Sequence, residues 1–178
     1  MENKMKKQYQ TESRRKTVAL SELYPIIDEI LQNGGQFQIT VTGNSMSPFL
    51  YEYRDMAVLA PLPARKIRKG DIVFYQRQNG QYVMHRVYAV DERGVMTLLG
   101  DAQWTLEPGI RPEQLRAFVP RVVHKGREIS CERGLWHRLM TAYQLRIRHP
   151  GAARLAMRLL RLPLAVRRRL LRLMGNAE

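Results

Sequence analysis

Hydrophobic positions along the chain follow two different periods. Val18, Leu20, Leu23, Ile26, Ile27, Ile30 and Leu31 recur three and four residues apart, so they share one face of a helix predicted over residues 17–32. Asn33-Gly34-Gly35 closes it. Beyond that point the pattern shortens to alternating or continuous apolar runs bounded by turn residues, which predicts strands over 36–42, 56–61, 71–76, 82–90, 95–99 and 118–124. Asn79-Gly80 marks a hairpin between the third and fourth. Strand after strand without an intervening helix argues for a mainly β fold, a small coiled antiparallel domain. Segments such as Pro61-Leu62-Pro63 and Glu107-Pro108-Gly109 read as loops.

Helical spacing returns at the end of the chain. Over residues 152–174, Leu155, Leu159, Leu162, Val166, Leu170 and Leu173 form one stripe, with Arg154, Arg158, Arg161, Arg168 and Arg172 in an adjacent arc. Pro150 and Pro163 divide the region into two or three short helices. The expected organisation is a basic arm and N-terminal helix over 1–35, a β domain over 36–131, and basic C-terminal amphipathic helices over 132–178.

Charge narrows the set of partners. The chain has a net charge of +14 and a pI near 10.5, which makes an anionic surface such as phospholipid headgroups or nucleic acid a natural partner. No helix-turn-helix pattern precedes the β region, so the specific reading of nucleic acid is not expected. One cysteine, Cys131, excludes an intramolecular disulfide and a CxxC metal site and reads as a small buried hydrophobe. No phosphate loop, nucleotide fingerprint or metal motif occurs, and no cofactor is expected. Residues 1–16 are polar and lead into no apolar h-region. The uncharged run 30–51 is broken by Gln, Asn, Gly and Pro, short of the roughly 20 apolar residues a membrane span needs. The expected location is the cytoplasm, with peripheral attachment to a membrane as a further role for the tail.

Candidate chemistry is concentrated in four ordered segments: Gly43-Asn44-Ser45-Met46-Ser47-Pro48, Gly70-Asp71-Ile72-Val73, Met84-His85-Arg86 and Gly100-Asp101. A serine hydroxyl is a weak nucleophile at neutral pH and needs a base within reach, together with donors for the oxyanion that forms on the attacked carbonyl. Ser45 on a tight turn after a strand is the candidate nucleophile. His85 is the candidate base, because neutral imidazole is abundant at physiological pH. Alternation along the predicted strand puts Val83, His85 and Val87 on one face and Met84, Arg86 and Tyr88 on the other. Asp101 is the candidate orienter of His85, with Glu107 as the alternative. Asp71 reads as a turn residue whose carboxylate satisfies loop amides, and His124, His137 and His149 read as surface residues.

Those four motifs, spread over residues 36–131, resemble the signal peptidase I and LexA-like serine peptidases. Most such enzymes carry a lysine where His85 stands. This chain has no lysine between Lys69 and Lys125 and is similar to the histidine-type signal peptidase branch. The resemblance implies a serine endopeptidase that cleaves an extended precursor or leader peptide after small side chains, on a β domain of signal-peptidase/LexA type. Gly43 occupies the place where many signal peptidases have a hydroxyl residue that assists the oxyanion hole, which leaves the Ser45 backbone amide, with Asn44, for that task. Two other functions fit the same residues. A LexA-like self-cleaving DNA-binding regulator would need an Ala-Gly or Cys-Gly cleavage site before Ser45, and none is present. A non-enzymatic peptide-binding or membrane-surface module on a degenerate peptidase fold would keep the cleft without the chemistry.

Overall fold

The computed structural model describes residues 20–151. Helix α1 (Leu20–Gln32) buries Ile27 and Leu31 of the predicted stripe together with Tyr24, whereas Ile26, expected on the same face, is exposed. Residues 17–19 of the predicted helix, the arm 1–16 and the stripe over 152–174 lie outside the described residues.

Eight strands follow: β1 (Phe37–Thr40), β2 (Met56–Ala60), β3 (Ile72–Gln76), β4 (Tyr82–Val90), β5 (Met96–Leu99), β6 (Glu107–Ile110), β7 (Leu115–His124) and β8 (Arg127–Ser130). They form one antiparallel sheet in the order β1-β2-β7-β3-β4-β5-β6, with β8 paired to β7. Four register shifts, at Val58/Ala60, Phe74/Tyr75, Val87/Ala89 and Met96/Leu98, interrupt the ladders and supply the local twist that coils a sheet of this size.

Two predicted loops and tails differ from the observed strands. Glu107-Pro108-Gly109 is part of β6, because β6 is the edge of the sheet, where proline's missing N–H forfeits no ladder bond. Arg127–Ser130 pairs with β7 through a tight turn at Lys125-Gly126, both at positive φ, and its mixed polar pattern hid it from an alternation reading.

Central strand β3 is buried on both faces and so separates two cores. Ile72 and Phe74 join α1, Met46, Leu50, Val119 and Met140 in the larger one. Val73 and Tyr75 join Val87, Met96, Leu98, Ile110 and Leu115 in the smaller one. After β8, helix α2 (Gly134–Tyr143) and a 3-10 turn (Gln144–Ile147) return to the sheet, with Met140 fully buried in the larger core. The chain comes close to itself where α2 crosses the loop before β3. A Cβ on Gly70 would lie 2.6 Å from Thr141 Oγ1 and 2.8 Å from His137 Cε1. Cys131 is buried at 1% exposure, and burial pushes its thiol pKa up to about 12, so it packs as a hydrophobe.

Candidate active site

The serine turn is built by its neighbours. Met46 and Leu50 on either side of it are buried in the larger core, and the Phe49 and Leu50 amides both donate to the Met46 carbonyl. The Phe49 ring meets Trp136 and Tyr143 of α2 edge-on at 5.8 and 5.2 Å. The Ser45 carbonyl accepts the Ala102 N–H at 2.8 Å, which fastens the turn to the loop after β5. Gly100 is required there, since a Cβ would sit 2.8 Å from that same carbonyl oxygen. Gly43, by contrast, has open space above its Cα and no left-handed φ. Asn44 donates its side-chain amide to Glu52 at 2.8 Å and is committed there.

Ser45 and His85 line one cleft of about 300 Å³, together with Leu20, Ile39, Met46 and Gln103. Ser45 is half-buried and His85 is 1% exposed. Among the described residues no direct hydrogen bond joins the two side chains. A second hollow of about 710 Å³, along residues 102–108, shares Arg77 and Gln103 with this cleft.

His85 is oriented from β3 and β6. Its Nδ1 lies 3.2 Å from Tyr75 Oη and 3.5 Å from Glu107 Oε2. Tyr75 Oη donates to Glu107 at 2.7 Å, so the phenol oxygen is left to accept from His85. That arrangement favours the Nδ1–H tautomer and leaves the Nε2 lone pair as the base. Arg77 grips the same carboxylate with two bonds of 2.7 and 2.6 Å. Burial would raise the Glu107 carboxyl, but hydrogen bonds from Arg77 and Tyr75 outweigh it and hold the group below the usual range. Burial pushes His85 down to about 4, with Glu107 pulling upward and Arg77 pushing further down. His85 is therefore neutral at pH 7.

Asp101 faces the other way. Arg86, the next residue along β4, points to the opposite face and holds the Asp101 carboxylate with two bonds of 3.0 and 2.7 Å. Both side chains are fully buried, and Arg86 also donates to the Gly70 carbonyl at 3.1 Å. Asp101, expected beside His85, is thus brought to Arg86, and the carboxylate nearest His85 is that of Glu107. Asp71 accepts the Arg68 amide and a two-pronged Arg65 contact, as its turn role required. Two of the histidines read as surface residues are partly buried: His124 bonds Asp55 at 3.1 Å and His137 bonds the Cys131 carbonyl at 2.6 Å. His149 is exposed.

Tyr75 and Arg77 were missed by motif reading, because neither belongs to a recognisable pattern. The signal was in the hairpin. With Asn79-Gly80 at the turn, β3 and β4 pair Val73 with His85 and Tyr75 with Val83, so Tyr75 shares the His85 face one step along.

A coiled antiparallel sheet that brings a serine turn and a buried histidine to one cleft defines a β-type peptidase domain. The chain belongs to the Peptidase S24-like family, whose model matches residues 6–102. The matched stretch includes Ser45, His85 and Asp101 and ends before Glu107. No match to a curated protein or to a solved structure accompanies it.

Proposed function

We propose that this protein is a serine endopeptidase with Ser45 as nucleophile and His85 as general base, and with Glu107 rather than Asp101 as the carboxylate behind the histidine. The observation that carries this reading is the neutral, oriented His85 opening onto the same cleft as Ser45. Ser45 Oγ attacks the scissile carbonyl while its proton passes to His85 Nε2. The imidazolium so formed keeps Nδ1–H on Tyr75 Oη and faces the Glu107 charge. The Ser45 N–H is the available donor for the oxyanion. Collapse returns the proton from His85 to the leaving amine, and water releases the acyl group by the same route.

An extended peptide is the fitting substrate. β1 is the other edge of the sheet, and its Ile39 and Thr40 line the cleft beside Ser45, so a substrate strand can add to β1 and lay a side chain in the hollow. Small side chains at the scissile position are what the resemblance to signal peptidases implies. The outer face of α2 supports peripheral attachment to an anionic membrane. Leu135 is 72% exposed, Leu139 and Leu145 are also exposed, Arg133, Arg138 and Arg148 lie among them, and no acid occurs between Glu132 and Glu178.

The test is hydrolysis of a peptide library with small residues at the scissile position, using wild type, Ser45→Ala and His85→Ala. Cleavage by wild type alone is expected, with losses of at least about 10³-fold in kcat for each variant. Equal cleavage by all three would refute the site, and cleavage by none would favour a peptide-binding module.

A further inference from the structure

The segment after the family match reaches back to the nucleophile. Arg146, in the 3-10 turn after α2, is 6% exposed, and its Nη2 contacts three carbonyls of one loop: Gly100 at 3.3 Å, Asp101 at 2.8 Å and Gln103 at 2.6 Å. Its Nη1 donates to the Tyr143 carbonyl at 3.1 Å, and the guanidinium lies over the Tyr143 and Trp104 rings at 4.3 and 5.5 Å. In the middle of the gripped loop is Ala102, whose N–H holds the Ser45 carbonyl, and Gln103 is a wall of the cleft. From the other side Arg86 holds the Asp101 carboxylate. The loop under the serine is therefore clamped twice, once from inside the sheet and once from the C-terminal segment.

We propose that Arg146 is a positioning residue, which fixes the 100–103 loop and through Ala102 sets the placement of Ser45; this rests on the serine-nucleophile reading. A neutral residue at 146 would leave three converging carbonyl dipoles without a shared donor, and the loop would relax away from the Ser45 carbonyl. Hydrophobic packing alone does not require this arginine. Met140 already anchors α2 in the core, and the Gln144 amide reaches the Val87 carbonyl at 3.4 Å. The three carbonyls converge on one nitrogen, Nη2, while Nη1 holds the Tyr143 carbonyl and the planar guanidinium lies over two rings, so a lysine ammonium reproduces part of the grip and not the rest.

The experiment compares full-length wild type, Ser45→Ala, Arg146→Gln, Arg146→Lys and the exposed control Arg93→Gln. Two readouts are taken: labelling by a fluorophosphonate, in which Ser45 Oγ bonds phosphorus, fluoride leaves and His85 takes the proton; and amide exchange at Ala102. Labelling of wild type and not of Ser45→Ala is the prerequisite. Its absence in wild type refutes the nucleophile and with it any positioning of one. Given that prerequisite, Arg146→Gln is expected to label roughly 10- to 100-fold more slowly and to exchange Ala102 at least about 10-fold faster. Arg146→Lys should recover only part of either, and Arg93→Gln should match wild type. If the glutamine variant does not fold, the lysine variant carries the comparison. Wild-type labelling and Ala102 protection in a folded Arg146 variant would overturn the proposal.

Discussion

His85 shows how burial and two neighbours divide the setting of one titration. Because burial lowers it to about 4, the basic form predominates above that pH, so kcat/KM is expected to rise through an acid limb near 4 and to be level through neutrality, well below the limb near 6.5 of a free imidazole. Glu107 pulls His85 upward and Arg77 pushes it down, so Glu107→Gln should move the limb to lower pH and Arg77→Gln to higher pH. Identical limbs in both variants would exclude His85 as the titrating base. Asp101→Asn answers a different question. It leaves Arg86 buried and uncompensated and should cost about 3–5 kcal/mol in denaturant titration, and because the Asp101 charge also pulls His85 upward, more weakly than Glu107, the acid limb should move slightly to lower pH. That Ser45 and His85 would share one cleft was legible, because serine on a turn and histidine on a strand each need little context. The carboxylate nearest His85 was not. Gly100-Asp101 is the more conspicuous acidic motif, yet its carboxylate belongs to Arg86, and Glu107 lay in a segment whose proline and glycine signalled a loop.

Elements were legible where their periodicity was long or unbroken. Strands β2, β3, β4 and β5 fall within a residue of the predicted spans, and α1 ends at the predicted residue, because each carries several apolar residues at the spacing of its element. β6 and β8 have at most one buried residue each and are held by pairing rather than by an apolar pattern, so composition could not announce them. Docking of α2 depends on a missing side chain. Gly70 has φ of +93° and faces Thr141 and His137, so Gly70→Ala should strain the backbone and push α2 outward, costing about 1–3 kcal/mol. The check is the urea midpoint together with tryptophan emission, since Trp136 packs on Phe49 and His124. An unchanged midpoint would mean that α2 is not seated against this loop.

For the whole molecule, the bulk of the net charge and the proposed active site occupy different parts of the chain. Thirteen of the thirty Lys and Arg residues, against three of the sixteen acids, lie outside residues 20–151, so the body around the cleft is far nearer neutrality than the chain as a whole. Binding to an anionic surface is then expected to be electrostatic and salt-sensitive. Full-length protein should sediment with phosphatidylglycerol-containing vesicles at low salt, release as ionic strength rises, and ignore neutral phosphatidylcholine vesicles. Leu135→Glu with Leu139→Glu should weaken the association further, since both leucines are exposed on the proposed contact face. Equal sedimentation with neutral and anionic vesicles would remove the electrostatic basis of this attachment. Among the described residues no helix is long and apolar enough to cross a membrane.

The consecutive placement of His85 and Arg86 on opposite faces of β4 makes the site a matter of parity. A one-residue slip of β4 against its neighbours would turn the imidazole to the face that holds Asp101 and the guanidinium to the face that holds Tyr75 and Glu107. The cleft would then lose the proposed base and have a permanent cation turned toward its face. The register of the β3–β4 hairpin is therefore as much a condition of the proposed chemistry as the identity of either residue.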